Sequence, residues 1–161
     1  MSKAGENKET QGGIKIVAEN RRARHDYLIL EEFEAGIVLT GAEIKSIRVN
    51  GISLAESYVR PFKDEIVLLG AHIEPYKFNA AAKDYDPRRT RKLLLHREQI
   101  DKLRIRVEEK GLAIVAMALY LKGGRAKLRV ALARGKNAPD KRHSIKEREG
   151  KREAARAMKR G

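Results

Sequence analysis

Apolar and polar residues alternate along most of the chain between Ile14 and Gly135, and this pattern predicts short β-strands. The first segments with this character are residues 14–17, 27–30 and 33–39, and we expect a bulge or bend where Gly36 interrupts the third. Two further pairs of segments predict hairpins. They are residues 58–62 with 65–69, and residues 113–122 with 126–133, the latter around the turn Gly123-Gly124-Arg125.

Two segments depart from the strand pattern and predict helices. Thr40 and Glu43 have the S/T-x-x-E spacing of a capping box, which predicts a helix over residues 40–49. Residues 97–110 carry apolar side chains at helical spacing, and Gly111 follows where a helix often ends. The apolar stripe of this second helix consists of Ile100, Leu103 and Val107. About six strands with two or three short helices predict a mainly β fold, a small antiparallel barrel.

Charge divides this chain into a body and two polar ends. The 161 residues include 36 Lys and Arg against 22 Asp and Glu, a net charge of +14 that points to a polyanionic partner. Residues 134–161 hold 11 basic and 4 acidic residues and no aromatic residue, so they bury too little apolar surface to offset ordering entropy. We therefore predict a disordered leader (1–13), a barrel (14–135) and a basic tail (136–161) that is disordered when free.

Local motifs of enzymes and metal sites are absent from the sequence. There is no cysteine, no pair of histidines with metal-ligand spacing, no phosphate-binding glycine loop and no nucleophile elbow. Asp84 and Asp86 form a near pair of carboxylates, but hydrogen bonding within a turn explains them better than acid–base chemistry. We predict a protein that is not an enzyme and has no cofactor or metal. Without a signal-like or membrane-spanning apolar segment, we expect it in the cytoplasm with no membrane partner.

Two basic clusters are candidates for RNA binding. Residues 20–27 (NRRARHDY) combine guanidinium groups that pair with phosphate and rings that stack on bases. The alternative is a solvated connection between strands, anchored in the core by Tyr27. Residues 86–96 (DPRRTRKLLLH) place four cations before an apolar run. That segment is either an RNA contact or a linker to the second helix, with His96 as a capping or core residue.

A third candidate is the predicted helix over residues 40–49. Lys45, Ser46 and Arg48 lie on its polar side, whereas Glu43 already has a role as a capping residue. The last predicted strand adds a further basic surface, because Lys127 and Arg129 alternate with apolar residues along it.

Five blocks of the chain, in this order, resemble the SsrA-binding protein (small protein B) family. The blocks are residues 20–27, 33–46 (FEAGIVLTGAEIKS), 71–76 (AHIEPY), 91–96 (RKLLLH), and 133–136 (ARGK) followed by 140–142 (DKR). The resemblance implies an OB-like β-barrel in a bacterial protein of trans-translation. Such a protein binds the tRNA-like domain of transfer-messenger RNA and delivers this RNA to stalled ribosomes for rescue and peptide tagging.

The resemblance also implies roles for individual residues and further partners. By matching position, the RNA-binding residues would be Asn20, Arg21, Arg24, His25, Tyr27, Glu43, Lys45, Ser46, Arg91, Lys92, Leu94, Leu95 and His96. The tail would occupy the decoding centre and message channel of the small ribosomal subunit. Its ribosome-contacting residues would be Lys136, Asp140, Lys141, Arg142 and Met158. Alanyl-tRNA synthetase and elongation factor Tu would be indirect partners.

The tail departs from the family pattern at three positions. Pro139, Gly150 and Ala157 stand where a histidine, a tryptophan and a larger aliphatic residue are usual. We still expect the tail to become helical on the ribosome, because Glu147 and Lys151 have favourable i, i+4 spacing. Two other interpretations remain at this point, namely another ribosomal or single-strand RNA-binding barrel and an RNA-modifying enzyme.

Overall fold

A computed structural model of the chain describes residues 9–10, 13–78 and 84–136. Within these residues there are eight strands, all paired antiparallel, and three short helices. The strands are β1 (Glu9–Thr10), β2 (Ile14–Glu19), β3 (Tyr27–Ile37), β4 (Tyr58–Phe62), β5 (Glu65–Leu69), β6 (Arg91–Leu94), β7 (Leu112–Lys122) and β8 (Arg125–Gly135). The helices are α1 (Arg21–Asp26), α2 (Gly41–Asn50) and α3 (Arg97–Arg106). The predicted mainly β fold is confirmed.

Six of the strands close into a barrel. Their order is β7-β4-β5-β6-β3-β8, and β8 pairs with β7 to complete the ring. One edge of the long strand β7 pairs with β8 along its whole length. The other edge pairs with both β2 and β4. Closure removes exposed sheet edges and lets a small chain enclose one apolar core. The most deeply buried core residues include Ile66, Leu68, Ile73, Leu93, Leu103, Leu119, Leu128 and Leu132.

Several local predictions are confirmed by the structure. Both hairpins form, although the second turn contains only Gly123-Gly124, because Arg125 already pairs with Lys122. Helix α2 begins with the predicted capping box and extends to Asn50. The apolar stripe of α3 faces the core, as Leu103 is fully buried and the two flanking stripe residues pack beside it. One expectation differs, since Glu9 and Thr10 of the leader that was predicted to be disordered form β1, which pairs with β2.

The prediction of a break at Gly36 was wrong. Strand β3 continues through Gly36, which pairs with Leu94 on one side and Lys127 on the other. The irregularity in β3 lies instead between Ile29 and Glu31. Gly36 serves close packing, since a Cβ atom there would approach the Cβ atom of Leu94 to 3.3 Å. A glycine in a strand therefore marks a close approach of neighbouring strands in this barrel.

Two segments differ from the predicted boundaries. Residues 21–26 form helix α1 rather than an irregular connection, because Ala23 is buried against the outside of the barrel among Val115, Met117 and Ala131. Helix α3 ends at Arg106, four residues before the predicted end. After Arg106 the backbone N–H groups, such as that of Glu108, donate to carbonyls three residues earlier instead of four. This change to tighter turns ends the α-helix.

Gly70, at the end of β5, gives a testable prediction about the fold. Its φ angle is +81°, and a Cβ atom would lie 2.6 Å from the carbonyl oxygen of Glu56. We expect Gly70→Ala to lower the free energy of unfolding by about 1–3 kcal/mol in urea titrations. Gly41→Ala is the control, because Gly41 has no neighbouring atom within 4 Å of the new Cβ. Equal stability of the two variants would contradict this reading of Gly70.

Candidate nucleic-acid interface

Glu43 lies at the centre of a buried ionic cluster that joins α2 to β6. Its side chain is 1% exposed and that of Arg91 is 0% exposed. The Nη2 atom of Arg91 lies 2.8 Å from Oε2 of Glu43, and Nη2 of Arg89 lies 2.7 Å from Oε1. The Tyr85 hydroxyl donates to Oε2 at 3.0 Å. One carboxylate therefore holds two arginines and a phenol from the segment leading into β6.

The same carboxylate completes the capping box of α2. The Thr40 backbone N–H donates to Oε1 of Glu43 at 2.9 Å, and the Glu43 N–H donates to the Thr40 hydroxyl at 3.1 Å. Burial opposes ionisation of Glu43, but the hydrogen bonds from Arg89, Thr40 and Arg91 outweigh it and lower its pKa to about 2. Burial also raises the pKa of Tyr85 to about 12, so its hydroxyl remains a donor at neutral pH.

Three residues predicted to bind RNA are thus inside the protein. Glu43 and Arg91 satisfy each other, and Ser46 is fully buried with its hydroxyl donating to the Glu74 carbonyl at 2.6 Å. Their side chains do not form part of the protein surface. The same helix places Lys45 in solvent, with its Nζ atom 5.9 Å from the centre of the Tyr76 ring.

Helix α1 holds the first basic cluster against β7 and β3. The Asn20 side chain donates to the Ala116 carbonyl at 3.0 Å, which fixes the start of the helix. Arg24 forms an ion pair with Glu32 of β3 at 3.0 Å and remains largely exposed. Arg21 and His25 also project into solvent. The half-buried Tyr27 packs against the small apolar cluster under α1, as the core-anchor alternative proposed.

Strand β6 places one cation of the second basic cluster on the outer wall of the barrel. Alternation buries Arg91 and Leu93 and exposes Lys92 and Leu94. Leu95 is half-buried against the core. His96 is exposed and begins α3, where its backbone N–H donates to Oε1 of Gln99 at 3.1 Å. His96 thus caps α3 through its backbone, while its exposed ring makes no capping hydrogen bond.

The fold brings further charged residues to this outer wall that were not assigned to the site from the sequence. Lys127 of β8 lies across Gly36 from Leu94, since Gly36 pairs with both. Glu34 of β3 accepts a hydrogen bond from Tyr120 that lowers its pKa, and Lys122 lies 3.6 Å away. The alternation of cations along β8 was the sequence signal that could have indicated Lys127 as part of the site. Without the strand order, nothing indicated that β8 and β6 flank the same strand.

Lys136 is the one residue of the predicted tail (136–161) that lies within the described part of the chain. Lys136 is exposed, and its backbone N–H donates to the Asp26 carbonyl at 2.8 Å, so the described chain ends beside α1. Asp140, Lys141, Arg142 and Met158 lie outside the described residues. Elsewhere, Asp86 accepts a hydrogen bond from the Arg88 N–H at 3.0 Å, which is the turn role expected for it.

In the described part of the chain, no group of three or more acidic, histidine or cysteine side chains could hold a metal ion. None of the helices found there is long and apolar enough to cross a membrane. The exposed groups of the candidate site are instead Arg and Lys side chains, two imidazoles and one leucine, on α1, α2 and β6 and at the start of α3. Such groups bind phosphates and bases rather than activate a substrate.

Comparison with known proteins decides the family. A family model described as "SmpB protein" matches residues 17–160. This chain belongs to the SmpB family. The SsrA-binding protein of Myxococcus xanthus is 47% identical over 162 residues, covering 99% of each chain. That of Chloroflexus aggregans is 50% identical over 147 residues, covering 91% of this chain and 93% of the relative. The resemblance found in the sequence blocks is confirmed.

A solved structure of a family member also has this fold. It comes from work described as "tmRNA-SmpB: a journey to the center of the bacterial ribosome". The two structures superpose with a TM-score of 0.62 at 47% sequence identity, covering 74% of this chain and 84% of the other. SmpB is a family of RNA-binding proteins rather than of enzymes, in agreement with the expectation from the sequence.

Proposed function

We propose that this protein binds the tRNA-like domain of transfer-messenger RNA and delivers that RNA to stalled ribosomes in trans-translation. The observation that carries the proposal is membership of the SmpB family across nearly the whole chain. The net charge of +14 and the exposed cations on α1, α2 and β6 support it, because a folded RNA offers a dense array of phosphates. The protein works as a binding adapter in the cytoplasm and catalyses no reaction itself.

The predicted RNA-binding residues divide into two groups by burial. Exposed side chains make the contacts, and these are Arg21, Arg24, His25, Lys45, Lys92, Leu94 and His96. Asn20, Tyr27, Glu43, Ser46, Arg91 and Leu95 position those side chains from half-buried or buried sites. The half-buried Lys127, which lies across Gly36 from Leu94, adds a further cation to these contacts. Buried groups thereby set the spacing of the exposed ones.

The basic tail supplies the second half of the proposed function. Transfer-messenger RNA lacks an anticodon arm, so it leaves the decoding centre and message channel of the small subunit unfilled. We assign Lys136, Asp140, Lys141, Arg142 and Met158 to this space, with the tail becoming helical on contact. Alanyl-tRNA synthetase and elongation factor Tu act on the RNA and are indirect partners.

A binding comparison tests the proposal. Full-length protein is titrated into a labelled transcript of the tRNA-like domain and into an unrelated hairpin RNA of equal length, at one fixed salt concentration. We expect at least a tenfold preference for the tRNA-like domain. Equal affinity for the two RNAs would support a general RNA-binding barrel instead and would remove the adapter function.

Lys92 provides a sharper prediction about the contact surface. It is half exposed and lies 3.2 Å from Glu65. We expect Lys92→Met to weaken binding to the tRNA-like domain and to reduce the slope of log affinity against log salt by about 1, the signature of one lost phosphate contact. Lys102→Met is the matched control. Lys102 lies on α3, is equally exposed, and is likewise paired with a glutamate, Glu31, at 2.8 Å. An unchanged slope in Lys92→Met would place Lys92 outside the interface.

A further inference from the structure

The outer face of β4 carries a row of aromatic and cationic side chains. Tyr58 and Phe62 are 51% and 49% exposed, and Arg60 between them is also exposed, whereas Val59 points into the core. Successive strand residues alternate between faces, so these three side chains share one face and are spaced by about 7 Å. Large aromatic side chains on an outer strand face do not contribute to the core. Several of them together on the surface indicate a binding site.

Neighbouring strands extend this row into a continuous surface. Arg60 pairs with Val67 of β5, and Val67 pairs with Lys92 of β6, so these three also share a face. Val67 is buried although it belongs to the outer face, which means that the longer side chains around it cover it. The outer face is therefore continuous from the β4 row across β5 to Lys92.

The charge balance of the surface favours an anionic ligand. Lys63, in the turn after β4, places its Nζ atom 5.4 Å from the centre of the Phe62 ring. Glu65 is paired with Lys92, and Asp64 lies 3.4 Å from Arg104. Among the described residues, none forms an ion pair with Arg60 or Lys63. Both cations remain available beside two exposed rings.

We propose that this β4 surface, made by Tyr58, Arg60, Phe62 and Lys63, binds unpaired nucleotides of a single-stranded RNA segment. Bases stack on the two rings, and the intervening phosphates pair with Arg60 and Lys63. Exposed aromatic side chains on a β-sheet, flanked by cations, hold single strands in this way with little dependence on sequence. A folded protein partner fits less well, because the apolar area is small and is interrupted by charge.

This site goes beyond the proposed function, because a folded tRNA-like domain could be held by α1, α2 and β6 without it. A surface for unpaired nucleotides gives the protein a second RNA contact. Folded and single-stranded RNA can therefore be tested separately on the same full-length protein.

Photocrosslinking locates the binding site directly. Full-length protein is irradiated with a decauridylate that carries 5-iodouracil, which crosslinks to side chains on which it stacks, and the modified residues are identified by mass spectrometry. We expect crosslinks at Tyr58 or Phe62. Crosslinks confined to Tyr76, Phe78 or residues 137–161 would overturn the proposal, since they would place the bases elsewhere.

Affinity measurements provide the second test. We expect the double variant Tyr58→Val/Phe62→Val to bind decauridylate at least tenfold more weakly, with an unchanged salt slope because no cation is lost. Valine keeps a high strand propensity, and circular dichroism verifies that the variant is folded. The matched control is Tyr76→Val/Phe78→Val, which removes another neighbouring aromatic pair with ring centres 5.4 Å apart.

Two results of this titration would refute the β4 site. One is wild-type affinity of Tyr58→Val/Phe62→Val for decauridylate, and the other is an equal loss in the control. We expect both variants to bind the tRNA-like domain within about twofold of wild type. Failure of the wild-type protein to prefer that domain would refute the adapter function and would leave the decauridylate result standing.

Discussion

Glu43→Gln should lower the free energy of unfolding by about 3–5 kcal/mol at pH 7, the largest stability effect that we expect from a single substitution. The amide cannot neutralise Arg89 and the fully buried Arg91, and it accepts fewer hydrogen bonds than the carboxylate does. Urea titration followed by circular dichroism measures the effect. The RNA affinity of the folded fraction should fall by less than about threefold, because Glu43 is buried and acts only by positioning the exposed cations.

Glu74→Gln is the control for this substitution. Glu74 is an exposed carboxylate beside α2, where its backbone carbonyl accepts from Ser46, and loss of its side-chain charge should change stability by less than about 0.5 kcal/mol. A Glu43→Gln protein that is fully stable but has lost its RNA affinity would contradict the structural role of Glu43. Such a result would restore a direct contact between Glu43 and RNA.

The pH dependence of stability tests the same cluster from another side. The pKa of Glu43 is about 2 in the folded protein and 4.5 as its ordinary value, so the ionised carboxylate stabilises the fold above pH 4.5. That contribution should be lost as the pH falls from 4.5 towards 2, and it is on the order of 3 kcal/mol. Glu43→Gln should lack this component of the acid destabilisation. Parallel curves for variant and wild type would show that Glu43 is not the titrating group.

Removal of residues 139–161 should abolish peptide tagging on stalled ribosomes and leave binding to the isolated tRNA-like domain within about threefold of wild type. The removed segment contains 9 basic and 4 acidic residues, a net charge of +5, so a small loss from general electrostatic attraction is expected. Tagging is measured in a translation reaction programmed with a message that lacks a stop codon, and RNA binding is measured by titration.

A chain with the same 23 tail residues in scrambled order is the control for charge. If the tail follows a defined track in the message channel, the scrambled chain should bind RNA like wild type and fail to tag. Full tagging by the scrambled chain would reduce the tail to a general cationic extension. An equal collapse of RNA binding and tagging after truncation would contradict the division into barrel and tail.

Local signals in the sequence predicted the parts of this fold that depend on neighbouring residues. The capping box at Thr40 and Glu43 and the two hairpins involve residues close in the chain, and all three are present. Failures arose where distant residues decide. Gly36 continues a strand because β6 packs closely against it, and residues 21–26 form a helix because Ala23 finds a buried site on the barrel.

The candidate site shows the same limit. Residue types indicated a basic surface, and exposed cations are present on it, but Arg91 could not be distinguished from Lys92 without knowing which face of β6 is buried. Glu43 lies 48 residues before Arg91, so no local pattern indicated that they would pair. The outer-wall position of Lys127 likewise depends on strand order, which emerges only when the barrel closes.

The shared carboxylate of Glu43 has a mechanical consequence. Lys45 is carried by α2 and Lys92 by β6, and both elements are fastened to this one side chain through Thr40, Arg89 and Arg91. These contacts oppose movement of the helix relative to the strand. A ligand that touches both lysines need not freeze an internal hinge when it docks, and more of the favourable enthalpy of contact is retained as affinity.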